Sequence, residues 1–391
     1  MSDFASKYAI PLSEPEISGN EWKYIKDCLD TRWVSSVGSY VNKFEKMVAD
    51  YIGTKYAVAV VNGTSALHLS LMACGVKPDD EVIVPALTFI APVNVVSYCG
   101  AHPVFMDCDR GNLCIDVHKV TDFIVNECKR RSDGYTYNKK TNRRIKAIIP
   151  VHIFGHPTDM EALLEICGKN NIDIIEDATE SIGSEHKGKM TGSFGQTGCF
   201  SFNGNKIITT GGGGMVVTDN KELDGKIRHL STQAKKDPFE YDHDEIGYNY
   251  RLTNIQAAMG VAQMERLNEF IGVKRRNASL YKKLLKDVDD VEFLWEKNWA
   301  KSNFWFYTLR VPKGDKKPLM RFLLEKSIQV RPIWKLIHTL TMYKGCQAYA
   351  IENAVEAYET CINLPCSVNL KEKEINFVVE NIKSYFSNQV V

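Results

Sequence analysis

The stretch YAVAVVNGTSALHLSLMACG, residues 56–75, decides the fold class. Its first part, 56–61, is apolar and rich in valine, which predicts a buried strand, and 64–75 has the pattern of an apolar helix. Gly63 stands at the turn between the two, and Gly75 stands where a helix end favours glycine. A strand that turns directly into a helix is the unit from which α/β proteins are built.

The same strand-and-helix unit recurs up to about residue 220. A second helix is predicted over 160–170, where Gly168 stands near the expected end. This alternation favours an α/β fold in which helices cover both faces of a mixed, mostly parallel sheet. The remaining strands are predicted at 81–85, 102–107, 146–151, 172–177, 199–202 and 215–219.

The sequence changes character after about residue 250. A long helical pattern covers 251–288, and a strand and a helix are predicted near 305–312 and 318–328. These elements predict a smaller α+β domain at the C-terminal end. We therefore expect a large domain at 1–262 and a small domain at 263–391.

The overall charge argues against some classes of partner. The chain has 391 residues, and 49 lysines and arginines against 48 aspartates and glutamates leave a net charge of +1. This balance gives no global field that would attract nucleic acid or an anionic membrane. The polar, basic stretch at 128–146 is predicted to be a solvated loop between a helix and a strand.

Cysteine spacing and hydropathy indicate a cytoplasmic protein. The eleven cysteines form no CxxC pair, which predicts free thiols and argues against a metal site. Residues 1–17 lack the basic and apolar regions of a signal peptide. No run approaches the roughly 20 apolar residues that cross a bilayer.

Two strand-to-helix junctions carry residues suited to a phosphate and a planar ring. In VNGTSALHLSL (61–71), Gly63, Thr64 and Ser65 begin a helix, and a helix N-terminus binds phosphate well. The alternative is an ordinary N-cap at Thr64 or Ser65. In PALTFIAP (85–92), Phe89 follows a strand end, where it either stacks on a ring or belongs to the core.

Two later junctions supply a buried carboxylate and an amine. IDIIEDATESIG (172–183) carries Asp177 at a strand end and Glu180 close behind, with capping of the following turn as the alternative role for Asp177. SFNGNKIITTGGGGMVVTDN (201–220) places Lys206 before four glycines, which suggests a close approach to the backbone. A partly buried lysine is a candidate Schiff-base former, and a surface lysine is the alternative.

The order of these four pieces matches the needs of one cofactor. Pyridoxal 5′-phosphate requires a phosphate anchor, a ring support, a partner for its pyridine nitrogen and an amine for its aldehyde. A nicotinamide oxidoreductase would instead need GxGxxG at the first strand-to-helix turn, and VNGTSAL lacks it.

With these motifs in view, the chain resembles the DegT/DnrJ/EryC1/StrS sugar aminotransferases, which have the type I fold of pyridoxal phosphate enzymes. The resemblance covers nearly the whole chain, from WVSSVGSYVNKFE to INLPCSV. It rests on the motifs GTSALHLSL, VPALTFIAPVN, PVHIFGHPTDM, IIEDATES, FSFNGNKIITTGGGG and GYNYRLTNIQAAMG.

The resemblance implies a role for each candidate residue. Lys206 would be the Schiff-base lysine, and Asp177 would pair with the pyridine nitrogen. Phe89 would stack on the ring, and Glu180, where the group often has Gln or His, would lie near the 3-hydroxyl. Asn249 would reach the phosphate of the neighbouring subunit in a homodimer with composite sites. The remaining phosphate contacts would come from Gly63, Thr64, Ser65 and Ser201.

The resemblance also implies a reaction. Relatives that remove a sugar hydroxyl carry histidine at the position of Lys206, so a lysine there indicates transamination, with glutamate as the usual amino donor. We expect a UDP-linked 2-acetamido-4-keto-2,4,6-trideoxyhexose as substrate, on a route to bacillosamine- or legionaminic-type sugars. The alternatives are a GDP-perosamine-type or dTDP-linked keto sugar, or a noncatalytic protein that only binds the cofactor. Arg331 and His338 are candidates for binding the sugar diphosphate.

Overall fold

The computed structural model describes residues 9–237 and 239–387, and the predicted strand-and-helix units are present. The strands before residue 250 are β1 (Tyr56–Val60), β2 (Glu81–Pro85), β3 (His102–Met106), β4 (Cys128–Arg130), β5 (Thr136–Asn138), β6 (Ile145–Ile148), β7 (Asp173–Asp177), β8 (Glu185–His186), β9 (Lys189–Met190), β10 (Thr197–Ser201), β11 (Gly214–Thr218), β12 (Lys235–Asp237) and β13 (Asp242–His243). The helices up to residue 284 are α1 (Glu21–Thr31), α2 (Ser39–Ile52), α3 (Gly63–Ala73), α4 (Ala91–Tyr98), α5 (Val117–Asp122), α6 (Met160–Asn170), α7 (Lys221–Ser231), α8 (Asn254–Met264) and α9 (Leu267–Leu284).

The C-terminal part of the chain forms its own small sheet. The strands and helices after residue 284 are β14 (Glu292–Phe293), β15 (Ala300–Lys301), β16 (Tyr307–Arg310), α10 (Lys316–Glu325), β17 (Arg331–Pro332), β18 (Ala348–Tyr349), α11 (Asn353–Thr360), β19 (Cys361–Leu364) and α12 (Glu372–Ser387). Strands β14, β16, β19 and β17 pair antiparallel in that order. The predicted boundary after residue 262 falls within α8 and stays a prediction.

The main sheet has eight strands in the order β1-β11-β10-β7-β6-β2-β3-β18. All neighbours from β10 to β18 run parallel, whereas β11 is antiparallel to both β1 and β10. The predicted mixed, mostly parallel α/β sheet is therefore confirmed. Because β11 is reversed, β1 runs in the same direction as β7, β10 and β2, so these four strands end at one edge of the sheet.

Both faces of this sheet are buried. Val82 and Val84 of β2 belong to one apolar cluster, and Ile83 between them belongs to another. Helices α5 and α6 supply Val120 and Leu163 to the second cluster, on the far face. The strands read as continuous apolar runs because each alternate side chain meets a different helical layer.

Two local predictions are wrong, and the long helical pattern is confirmed as two helices. Gly168 lies inside α6, and the left-handed residue that ends this helix is Asn171, with φ 52°, since asparagine also tolerates that conformation. The stretch at 128–146 is not a plain loop, because β4 and β5 pair within it as a hairpin. The long helical pattern over 251–288 is divided into α8 and α9.

Two global predictions from the sequence can be compared with the structure. All eleven cysteines are free thiols, as their spacing predicts. Within the described residues, no helix combines the length and apolar character that crossing a bilayer requires.

Candidate active site

A cavity of about 510 Å³ lies at the sheet edge where β1, β2, β7 and β10 end. Such an edge is where α/β proteins place their ligands, because several strand-to-helix loops converge there. Side chains from the small C-terminal sheet close the cavity from the other side. Of the residues predicted from the sequence, those that line it are Gly63, Thr64, Phe89, Asp177, Glu180, Ser201, Lys206 and Arg331.

The N-terminus of α3 opens into the cavity, but its cap differs from the predicted one. Asn62, rather than Thr64 or Ser65, is the N-cap, and its side chain accepts a hydrogen bond from the Ser65 amide at 2.7 Å. Ser65 is buried and does not line the cavity. Gly63 and Thr64, which precede it, do line it, so the first turn of α3 presents its positive end to any anion bound there.

Gly63 is required by close packing at this point. A Cβ on it would lie 2.9 Å from the Cβ of Ser201 and 3.0 Å from Cγ2 of Thr179. The start of α3 therefore sits directly on the ends of β10 and β7, which brings the Ser201 hydroxyl beside the helix N-terminus.

The glycine run at 211–214 does not line the cavity. A Cβ on Gly214 would lie 2.5 Å from the carbonyl carbon of Asn62 and 2.8 Å from the Gly63 nitrogen. Gly214 thus lets β11 pass under the start of α3. Of the four glycines, Gly214 is the one whose Cβ would meet the backbone of the helix start, and none of the four lines the cavity.

Phe89 lines the cavity and is not part of the core. It is 53% exposed although it lies shortly after a buried strand. Its ring meets that of Trp334 edge-on, with centroids 6.0 Å apart. Phe89 therefore offers a free aromatic face to a planar ligand.

Asp177 lies at the end of β7 and is 2% exposed. Its Oδ1 accepts a hydrogen bond from the Thr179 amide at 3.1 Å, so Asp177 caps the following turn, and the residue also lines the cavity. Its pairing with a pyridine nitrogen stays a prediction. Burial raises the pKa of Asp177, and the hydrogen bonds from Thr179 act against that rise. A cationic group in the cavity would stabilise this buried carboxylate.

Lys206 is a buried amine between a carboxylate and an aromatic ring. Its side chain is 13% exposed, its Nζ lies 3.8 Å from Oε1 of Glu180, and it sits 3.7 Å from the centroid of the Trp305 ring. Burial lowers the pKa of Lys206, and the charge of Glu180 opposes that effect. The amine is therefore enclosed by these two groups, and the surface-lysine alternative is wrong.

Glu180 is fixed by a strained turn. Its Oε2 accepts a hydrogen bond from the Phe154 amide at 2.8 Å, and Phe154 has a left-handed φ of 55°. Non-glycine residues adopt this conformation only where surrounding packing holds them. Burial raises the pKa of Glu180 above its usual value, and the charge of the neighbouring Lys206 only limits that rise.

The three remaining predicted residues differ in position. Arg331 lies on β17, is exposed and lines the cavity. His338 does not line it; this histidine lies in a short 3₁₀ turn with its ring 6.1 Å from that of Phe105. Asn249 is exposed and outside this cavity, so it contributes nothing to the site of its own chain.

Sequence reasoning missed several lining residues, among them Asn62, Trp305 and Asn363. Trp305 fixes the loop of Lys206 as well, since its Nε1–H donates to the Asn205 carbonyl at 2.7 Å. The aromatic run at 304–307 was the available signal, but it predicts only a strand. Asn62 could have been found as the asparagine that precedes a helix start.

Together these residues fit pyridoxal 5′-phosphate. A helix N-terminus for the phosphate, a free aromatic face, a buried carboxylate and a buried lysine meet in one cavity. These are the four features that the phosphate, ring, ring nitrogen and aldehyde of this cofactor require.

Comparison with known proteins assigns the chain to a family. The model of the DegT/DnrJ/EryC1/StrS aminotransferase family matches residues 15–383. The chain belongs to this family. GDP-perosamine synthase of Escherichia coli O157:H7 is 39% identical over 382 residues, covering 97% of this chain and 99% of that protein. GDP-perosamine synthase of Caulobacter vibrioides is 39% identical over 378 residues, covering 95% and 96%.

A solved structure gives the same result for the fold. The putative sugar aminotransferase Spr1654 from Streptococcus pneumoniae, in its pyridoxal phosphate form, superposes with a TM-score of 0.87 at 25% identity. The match covers 98% of this chain and 100% of that one. The predicted type I fold, pyridoxal phosphate as cofactor and transamination of a nucleotide sugar are thereby confirmed. The noncatalytic alternative is set aside, and the relatives fit the GDP-linked alternative better than the UDP-linked substrate.

Proposed function

We propose that the enzyme transfers an amino group to C4 of a GDP-linked 4-keto-6-deoxyhexose, with GDP-4-keto-6-deoxymannose as the substrate to test first. The observation that carries this proposal is the identity of 39% to two GDP-perosamine synthases along nearly the full length of each. It replaces the UDP-linked acetamido sugar, which the family resemblance implied.

Lys206 is proposed as the residue that joins the cofactor and then moves the proton. When bound, pyridoxal phosphate supplies an aldehyde carbon that carries the amino group and a ring that accepts electrons. Lys206 would move a proton at the reacting substrate carbon, and burial lowers the pKa of its amine, which favours the neutral form that accepts a proton. Trp305 and Glu180 stabilise the protonated amine at Nζ after it has taken up that proton.

The other residues hold the cofactor in place. Asp177 keeps a proton on the pyridine nitrogen, because a buried carboxylate favours a cation beside it. Thr64, Ser201 and the first turn of α3 bind the phosphate, and Phe89 supports one ring face. Glu180 lies where it can hydrogen-bond a ring substituent near the lysine.

Glutamate is proposed as the amino donor, and Arg331 as the cation that holds the sugar diphosphate. Arg331 lines the cavity mouth on β17, and a guanidinium binds phosphate oxygens in pairs. Replacing Arg331 by Met should raise KM for the nucleotide sugar about 10- to 100-fold and leave KM for glutamate within about twofold. His338→Gln is the matched control, since His338 does not line the cavity; an equal effect of both changes would remove the assignment.

The active unit is proposed to be a homodimer with composite sites, to which Asn249 of one chain contributes for the other. Asn249 is exposed and does not line the cavity of its own chain, and both observations support this arrangement.

The substrate proposal is tested by comparing two nucleotide sugars. Specificity constants are measured with glutamate for GDP-4-keto-6-deoxymannose and for the UDP-linked 2-acetamido-4-keto-2,4,6-trideoxyhexose, with Lys206→Ala as the inactive control. We expect a preference of at least about tenfold for the GDP sugar and, by proton NMR, a product with nitrogen at C4. A preference for the UDP sugar would return the assignment to the acetamido substrate.

A further inference from the structure

Two tyrosines flank Asn249 and pack away from it. The rings of Tyr248 and Tyr250 are stacked, with centroids 4.9 Å apart and 24° between their planes. Side chains alternate between the two sides of an extended segment, so the residue between two that share a side projects the opposite way. Asn249 is accordingly exposed, on the side away from the two rings.

His68 lies beneath these two rings. It belongs to α3, the helix whose first turn opens into the cavity, and it is 5% exposed. Its ring meets Tyr248 edge-on at 5.0 Å and Tyr250 at 6.1 Å, and Tyr98 closes a third side at 5.7 Å. Within the described residues no group is placed to hydrogen-bond its buried Nδ1. His68 therefore contributes aromatic packing, and not a hydrogen bond through Nδ1.

The backbone of the same segment is fixed at both ends. The Tyr250 carbonyl accepts a hydrogen bond from the Val61 amide at 2.9 Å, and the Tyr248 amide donates to the Leu230 carbonyl at 2.7 Å. These bonds set where the segment runs. Two further backbone bonds, from the Gln233 amide to the Tyr248 carbonyl at 3.0 Å and from the Tyr250 amide to the Ser231 carbonyl at 3.1 Å, pair it with 231–233. The rings of Tyr248 and Tyr250 then anchor the inner side of this segment on His68.

We infer that His68 is a positioning residue that holds Asn249, through Tyr248 and Tyr250, in the orientation that reaches the phosphate bound by the partner subunit. The inference rests on the composite site proposed above. His68, on α3 of one subunit, thereby affects cofactor binding in the other subunit.

The test uses heterodimers in which one Lys206 remains. Lys206→Ala is introduced in one chain only, and the affinity for pyridoxal phosphate is followed by the absorbance of cofactor joined to the remaining Lys206. His68→Leu is then placed either on the Lys206→Ala chain (in trans to the measured site) or on the Lys206 chain (in cis). Asn249→Ala is placed in the same two arrangements as a control.

We expect His68→Leu in trans to raise the dissociation constant of pyridoxal phosphate about tenfold, the size of a lost hydrogen bond to a charged group. The cis change should have a clearly smaller effect, and His68→Phe, which keeps a ring, should restore affinity. Pyridoxal, which lacks the phosphate, should bind equally well in all cases. A defect that only loosens the fold would act in cis as strongly as in trans.

The outcomes distinguish the role of His68 from the composite site on which it rests. If Asn249→Ala in trans weakens binding and His68→Leu in trans does not, the role of His68 is wrong and the composite site stands. If neither acts in trans, the composite site fails and this inference with it. Tyr248→Leu is the substitute should His68→Leu not fold, because it removes the same contact from the exposed side.

Discussion

At the scale of single residues, two neighbouring carboxylates of β7 have different surroundings. Asp177 faces the cavity, whereas Glu176 is fully buried and accepts hydrogen bonds from the amides of Gly192, Phe194 and Gly195. Alternation along the strand sends the two side chains to opposite faces. The first is therefore placed for chemistry and the second for holding a loop.

Asp177→Asn should fold normally and lose activity. A neutral amide cannot hold a proton on the pyridine nitrogen as a carboxylate does, so we expect kcat to fall by about 10²-fold or more. Steady-state kinetics give the loss, and thermal unfolding of the same variant checks the fold. A decrease of only two- or threefold, below the ~10²-fold typical of such electrostatic effects, would count against the role of Asp177.

Glu176→Gln should lower stability and leave activity intact, the reverse of Asp177→Asn. One amide oxygen cannot replace two carboxylate oxygens, so buried amides that Glu176 now satisfies are left without an acceptor. We expect the free energy of unfolding to fall by about 1–3 kcal/mol, with kcat of the folded enzyme little changed. Urea denaturation measures the first and kinetics the second; unchanged stability would show that the loop does not depend on this carboxylate.

At the scale of elements, the packing of β11 against the start of α3 predicts a difference between two glycines. Gly214→Ala would drive a Cβ into the backbone of Asn62 and Gly63, so we expect a loss of about 1–3 kcal/mol in stability and weaker cofactor binding. Gly212→Ala is the matched control, because its nearest neighbours would be 3.9 and 4.0 Å away. Cofactor titration and denaturation compare them, and equal behaviour would contradict the packing argument.

At the scale of the whole molecule, the composite site predicts complementation between an inactive chain, Lys206→Ala, and an impaired one, Asn249→Ala. Lys206→Ala keeps Asn249 but lacks the amine, and Asn249→Ala keeps the amine but lacks the residue given to its partner. Their heterodimer should contain one complete site and recover activity, up to about half of the wild-type value per dimer if both partners are otherwise intact. Activity after subunit exchange is the measurement. A verified heterodimer without activity would mean that each chain completes its own site.

The sequence by itself determined the local units and the chemistry they carry. Apolar strand runs, the glycine at the turn into α3 and Asp177 at a strand end are short-range features, because each depends on neighbours a few residues away. Parallel strands then bring their ends to one edge, which is why Gly63, Phe89, Asp177 and Lys206 line one cavity as predicted.

Only the tertiary structure decided which residues those units meet. Asn62 rather than Thr64 caps α3, Gly214 packs on Asn62, and Trp305 covers Lys206. His338, which shares a motif with Arg331, does not reach the cavity. These outcomes depend on side-chain direction and on packing between segments far apart in the chain. Periodicity and spacing describe a segment and its own neighbours, so they do not encode such contacts.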